Sequence, residues 1–306
     1  MRITQNMMST IFVSNLRKQT EAMLQRQEQI ATQKRINRPS DDPSGMGRVL
    51  AGRSTLTAIG QYMDNIKQGK TRLEFSENTL KLVDDLVQQA RRIADEKSGS
   101  EVTADERQFA ATQVKEIFDQ VLQLANSKFG DRYMFSGDKT STRPFRVEDP
   151  GDPYTVSYQG DDGSFRYPIA DGVEVTVDAD GRNYFQNSAD GGVNIFDELR
   201  DLIAGLGNTD LADGSTQIAA TVDPLEGAHV QIMNKRSEAG PKLYRFQATE
   251  EHWLNMKNTV QAAIGREEDV DVTQAIIELK NLETAYQSTM AAASRIIQPS
   301  LVNFLK

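Results

Sequence analysis

Apolar residues recur at seven-residue steps along two distant stretches of the chain. One ladder runs Ile59, Ile66, Leu73, Leu80, Val87 and Ala94. Three residues after its first five rungs stand Tyr62, Gly69, Ser76, Val83 and Ala90, all small or able to pack. The other ladder runs Leu225, Ile232, Ala239, Phe246, Trp253 and Val260. Such a repeat gives a long helix one face that needs a partner helix, so two ladders predict antiparallel pairing in a bundle. A third helix is predicted from Thr103, where T-A-D-E sets Glu106 three residues after a capping threonine. Its stripe is Ala110, Val114, Ile117, Val121 and Leu124, and it ends near Gly130. A shorter helix after Asn194 carries Phe196, Leu199, Ile203 and Leu206 on one face.

Between residues 141 and 193 the period changes. YTVSYQ at 154–159 and VEVTV at 173–177 are rich in β-branched and aromatic residues, bounded by GDDG at 160–163 and DADG at 178–181. This pattern predicts a small β module inserted into the helices. Gly240-Pro241 falls inside the second ladder and predicts a kink there.

The two ends carry stripes of their own. Ile3, Met7, Met8, Ile11, Phe12, Leu16, Met23 and Ile30 mark the first. Val272, Ile276, Leu279, Tyr286, Met290, Ala293, Ile297 and Phe304 mark the last, with Glu283 and Ser300 as polar exceptions. Neither helix buries its stripe alone, so the ends zip together, dock on a neighbouring subunit, or do both.

A polar hinge, KRINRPSDDPSG at 34–45, separates the first stripe from the first ladder. Pro39 disfavours helix at Arg38, and Asp42-Pro43 suits a cap and first helical turn. Lys34, Arg35 and Arg38 fit the negative end of one helix dipole, and Asp41 and Asp42 the positive end of the next. Arg35, Asn37, Arg38, Pro39, Asp41, Asp42 and Pro43 therefore form the expected hinge. GREEDVD at 265–271 makes the matching break on the return. The expected fold is mainly α, an elongated helical bundle with paired N- and C-terminal coiled-coil helices and a small inserted β domain. Its parts are a terminal assembly domain (1–42 and 266–306), a central bundle (43–140 and 194–265) and a β-rich outer domain (141–193).

Composition narrows the function. Of 306 residues, 38% are hydrophobic and 7% aromatic, lean for a compact enzyme and usual for extended helical proteins. A net charge of −9 argues against nucleic acid or an anionic membrane as partner. There is no cysteine, and the two histidines, His229 and His252, lie 23 residues apart without metal-ligand spacing. They are read as surface or seam residues, and the Asp-rich turns as turns, since DADG lacks a calcium loop's spacing. No enzyme and no cofactor is expected. Interrupted by Gln5, Asn6, Ser9 and Thr10, the opening residues do not make a secretory signal.

The opening MRITQNMM, the hinge KRINRPSDDP, FGDRYMFSG at 129–137 with Pro144-Phe145, and the ending SLVNFL resemble the flagellin and hook-associated protein superfamily. The resemblance covers about residues 1–145 and 220–306. Flagellins tend to lack the hinge prolines and to follow the aspartate pair with alanines, so Pro39 and Pro43 favour the hook–filament junction members. Gln33 stands where the family usually has a glycine. The resemblance implies an extracellular structural subunit of the bacterial flagellum, exported unfolded by the flagellar type III route without a cleaved signal peptide. It would form a junction ring with other copies of itself, between a neighbouring hook-associated protein on the hook side and flagellin on the filament side. A dedicated export chaperone would bind its C-terminal region. The termini of such proteins are disordered before assembly and form a coiled-coil inner tube on polymerisation. A divergent flagellin forming the filament is the alternative within the superfamily. A cytoplasmic coiled-coil scaffold is the alternative from another class, and predicts a stable dimer with protease-resistant ends.

Overall fold

The computed structural model describes residues 5–99, 101–149, 152–178, 181–186 and 191–304. Within the helices and strands, the side chains of residues 5, 6, 8, 9, 149, 152, 153, 178 and 294–304 lie outside the description. The fold is mainly α. Long helices α1 (Gln5–Thr32), α2 (Pro43–Lys97) and α3 (Ala104–Ala125) precede strands β1 (Lys128–Phe129), β2 (Arg132–Tyr133), β3 (Phe145–Asp149), β4 (Asp152–Tyr158), β5 (Phe165–Ala170) and β6 (Val173–Asp178). Helices α4 (Gly181–Phe185), α5 (Ile195–Leu206), α6 (Leu211–Ser237), α7 (Ala239–Glu268) and α8 (Val272–Phe304) complete the order. Two compact units result: residues 60–253, and residues 1–59 with 254–306. Both divisions fall inside uninterrupted helices, α2 and α7.

The larger unit follows the ladders. Ile66, Leu73, Leu80, Val87 and Ala94 of α2 are all buried. The return helices run antiparallel to α2, as ion pairs Arg91–Glu226 (2.7 Å), Glu77–Arg236 (2.7 Å) and Lys70–Glu250 (2.9 Å) show. At Gly69 a Cβ would stand 2.6 Å from the Phe246 ring, so the rung that faces Phe246 has no room for a side chain. His229 lies in this seam with Nδ1 2.5 Å from the buried Asp84 Oδ1, while His252 is exposed.

The cap of α3 forms as its sequence predicts: the Glu106 amide donates to Thr103 Oγ1, and Glu106 Oε2 accepts from the Thr103 amide at 3.0 Å. That reciprocal bond holds the Glu106 carboxyl below its ordinary range. The helix stops at Ala125, earlier than Gly130, because residues 128–133 turn into the β1–β2 hairpin, with Lys128 opposite Tyr133. Behind α3, Arg107 is buried and donates to the Leu211 carbonyl (2.9 Å), the Gly99 carbonyl (3.2 Å) and Ser215 Oγ. It thereby ties the end of α2 to the start of α6.

The strands between residues 141 and 178 form two antiparallel hairpins that join helical cores. From β3, Phe145 packs with Phe118, Phe185 and Phe196 in the main core, its ring 5.3 Å from that of Phe196. From β5 and β6, Ile169, Val175 and Val177 cover Ile66, Leu73 and Phe246 in a second cluster. GDDG serves as the turn expected, with Asp161 Oδ1 accepting from the amides of Asp138 (2.7 Å) and Gly163 (3.2 Å). DADG falls partly outside the described residues.

Near the position of the expected kink the helix is interrupted at Glu238, where α6 gives way to α7. Pro241 has no N–H for the Ser237 carbonyl, so the helical bond is lost one turn before the proline. Pro224 lies inside α6 and does not end it.

Candidate assembly surface and hinge

In the smaller unit α1 and α8 pack antiparallel. Gln19 Nε2 donates to Thr289 Oγ1 at 3.2 Å, and Arg26 meets Glu278 at 2.9 Å. Phe12, Leu16, Met23 and Ile30 are half-buried at three- and four-residue spacing, on the face that Gln19 and Arg26 share. Leu279, Tyr286 and Ala293 are half-buried on α8, as is Leu282.

The remaining stripe residues take other positions. Met7 is 57% exposed and Ile276 52%, and Ile11 and Met290 are exposed as well. Ile3 lies outside the described residues. Met8, Ile297 and Phe304 lie on the helices, with side chains outside the description. Val13, Leu24 and Ile277 are further exposed apolar residues that the stripes did not include. Leu24 and Ile277 stand off the three-four pattern, so periodicity carries no signal for them, whereas Val13 stands three residues before Leu16.

The hinge closes on the return break. Gln33 takes a left-handed backbone, φ 58°, and ends α1 at Thr32. Its carbonyl accepts from the Val270 amide at 3.1 Å, and the Arg35 amide donates to the Glu268 carbonyl at 2.6 Å. Beyond Pro39, Asp42 caps α2: its Oδ1 accepts from the Gly45 amide at 2.9 Å. A Cβ on Gly45 would lie 2.5 Å from the Asp42 carboxylate and 2.7 Å from Ile36 Cδ1, so the cap requires glycine there. Asp271 does the same for α8, accepting from the Gln274 amide at 3.1 Å.

The hinge charges differ from the dipole pattern. Asp41 Oδ2 accepts from the Asn37 and Arg38 amides, at 3.1 and 2.9 Å, and so closes the turn instead of facing α2. Asn37 Nδ2 donates to the Lys34 carbonyl at 3.1 Å. The basic side chains reach carboxylates: Lys34 to Glu268 (2.7 Å), Arg38 to Glu28 (3.1 Å), Arg35 to Asp42 (3.4 Å). From α2, Arg48 pairs with Glu267 (2.9 Å) and Arg53 with the buried Glu268 (2.6 Å). No sequence motif announces these pairs, since their partners lie more than two hundred residues apart in the chain.

Hydrogen bonding to charged forms sets the protonation. The Gly45 amide and then Arg35 hold Asp42 below the usual carboxylate range, and Arg48 does the same for Glu267. Burial pushes Glu268 up, but the bonds from Lys34 and Arg53 outweigh it and leave it lowered. The hinge is thus a clamp of ion pairs between the start of α2 and the end of α7, both within the smaller unit. No helix among the described residues is long and apolar enough to cross a membrane.

Comparison with known proteins matches both ends of the chain. The family model for the bacterial flagellin N-terminal helical region matches residues 3–140, and that for the bacterial flagellin C-terminal helical region matches residues 222–305. The chain is 26% identical over 269 residues to flagellar hook-associated protein 3 of Salmonella typhimurium, covering 87% of this chain and 79% of that protein. It is 26% identical over 239 residues to the protein of the same name from Escherichia coli, covering 72% and 73%. Among solved structures, a putative flagellar hook-associated protein from Vibrio parahaemolyticus aligns with a TM-score of 0.68 at 20% identity, over 75% of this chain and all of that one.

Proposed function

We propose a function for this chain from one premise: it belongs to the flagellin superfamily. Within that superfamily it is a structural subunit of the flagellum, forming the junction between hook and filament. The observation that carries the assembly role is the exposed apolar surface on α1 and α8, where Met7, Ile11, Ile276 and Met290 stand on helices already paired with each other. An exposed surface of this kind marks an interaction site, and a subunit that repeats around a ring meets its neighbours there. The junction role is supported by two relatives named hook-associated protein 3 and by the prolines at 39 and 43.

In this reading the chain assembles with copies of itself, with a hook-associated protein on the hook side and with flagellin on the filament side. An export chaperone takes its C-terminal region before assembly, and the flagellar type III route delivers it outside the cell. The terminal pair is the assembly domain and the hinge sets its direction. Deleting the gene and viewing the cells by electron microscopy, with flagellin assayed in the medium, tests the role. Bare hooks with shed flagellin are expected. Bare hooks without flagellin in the medium make this chain the filament subunit, and intact filaments overturn the proposal.

A further inference from the structure

The seam between α1 and α8 is apolar in its spacing but holds, among the described residues, two polar crossings: Gln19 with Thr289 and Arg26 with Glu278. Polar side chains at seam positions fix the register of a coiled pair, because a slip separates them from their partners. Together the two crossings allow one alignment. Sliding α8 by a heptad sets either Asp271 or Ala285 opposite Arg26, and correspondingly Leu282 or Ile296 opposite Gln19. The slip that keeps an acidic partner for Arg26 puts leucine on Gln19; the other slip loses both.

Arg26 is also held from behind. Its Nη1 donates to Gln29 Oε1 at 2.7 Å. Gln29 is only 4% exposed and donates in turn to the Arg35 carbonyl at 2.9 Å. Arg35 belongs to the hinge, where its amide donates to the Glu268 carbonyl. A continuous set of hydrogen bonds therefore leads from the seam to the crossing of the two chain breaks.

We infer that Arg26 pins the register of the terminal pair and that Gln29 carries that register to the hinge. The chain docks its own C-terminal helix in one alignment, and the hinge crossing closes with it. Both are positioning residues. The inference holds for a junction or a filament subunit alike, so its test is separate from that of the proposed function.

The chain has no cysteine, so cysteines introduced at Met23 and Leu282, half-buried seam positions between the two crossings, give a clean probe. In flagella assembled with this variant chain a short bismaleimide joins them within one chain when the register holds. Glu278→Arg is expected to lower the intramolecular cross-link roughly fivefold, by setting two cations face to face. The charge swap Arg26→Glu with Glu278→Arg is expected to restore it. Gln29→Leu is expected to keep most of the cross-link while the Arg35 and Val270 amides exchange hydrogen faster. The inference is overturned if the parent cysteine pair does not cross-link, if Glu278→Arg cross-links as the parent does, if the swap fails to restore it, or if Gln29→Leu leaves the hinge amides equally protected.

Discussion

The two units of this chain are stabilised in opposite ways. Residues 60–253 bury Phe118, Phe135, Phe145, Phe185 and Phe196 completely, with aliphatic side chains from α2, α3, α5 and α6 around them. In residues 1–59 with 254–306, the buried apolar side chains among the described residues are Ile36, Val49, Ile59 and Ala275. That unit holds its shape by pairing arginines and lysines with carboxylates at the hinge, and it leaves methionine, isoleucine and leucine in contact with water. Burial contributes most of a domain's stabilisation, and exposed ion pairs contribute little each. The larger unit is accordingly complete as a fold. The smaller one has defined geometry and an apolar surface still to be covered, which suits a part that finishes its core on assembly.

The largest expected effect separates the two kinds of surface. Phe196→Ala should cost about 3–5 kcal/mol, read from the denaturant midpoint, because it empties the centre of an aromatic cluster. Ile276→Asp should leave that midpoint within about 0.5 kcal/mol, because the side chain is already in water, and should stop incorporation into flagella. Normal incorporation of that variant would remove Ile276 from the contact surface.

Acid should distinguish the units next. Asp42, Glu267 and Glu268 have folded-state values below their ordinary ones. Their stabilisation is therefore full above the ordinary carboxylate range and is lost as pH falls below about 4. The larger unit has mixed signs: Glu106 and Asp161 are lowered like the hinge carboxylates, while burial raises Glu198, so its contribution is lost as pH rises. Protection of the Arg35 and Val270 amides should fall in acid before that of core amides in α5. Simultaneous loss would place the clamp's stability elsewhere.

The smallest effect concerns Gln33. A side chain in the left-handed region costs about 1–2 kcal/mol, and glycine's freedom in the unfolded chain offsets roughly half of that. Gln33→Gly should stabilise the hinge by somewhat under 1 kcal/mol, seen as slower exchange of the Val270 amide bonded to its carbonyl. Faster exchange would mean that the Gln33 side chain itself supports the crossing.

The ladders, the helix after Asn194, the α3 capping box and Asp42-Pro43 were legible because each rests on local periodicity or on a side chain bonding the backbone three residues on. The β1–β2 hairpin was not, since two-residue strands carry no alternation. The clamp was hidden for another reason: Arg48 and Arg53 look like solvent-facing residues of a helix until Glu267 and Glu268 arrive from the far end of the chain. At the ends, periodicity picked out both seam residues such as Leu16 and exposed ones such as Met7, and it gives no means of telling a face covered within the chain from one left open.

Trp253 is the single tryptophan of the chain. Its indole Nε1 donates to the Ile169 carbonyl at 2.7 Å, and its ring stacks on Tyr62 with centroids 5.3 Å apart. The β5–β6 hairpin is thus moored to α7 through the one strong fluorophore the protein has. Its emission reports the opening of the site where that hairpin meets α2 and α7, while circular dichroism follows the helices. The molecule comes with an optical gauge for its β5–β6 hairpin, and no label need be added to read it.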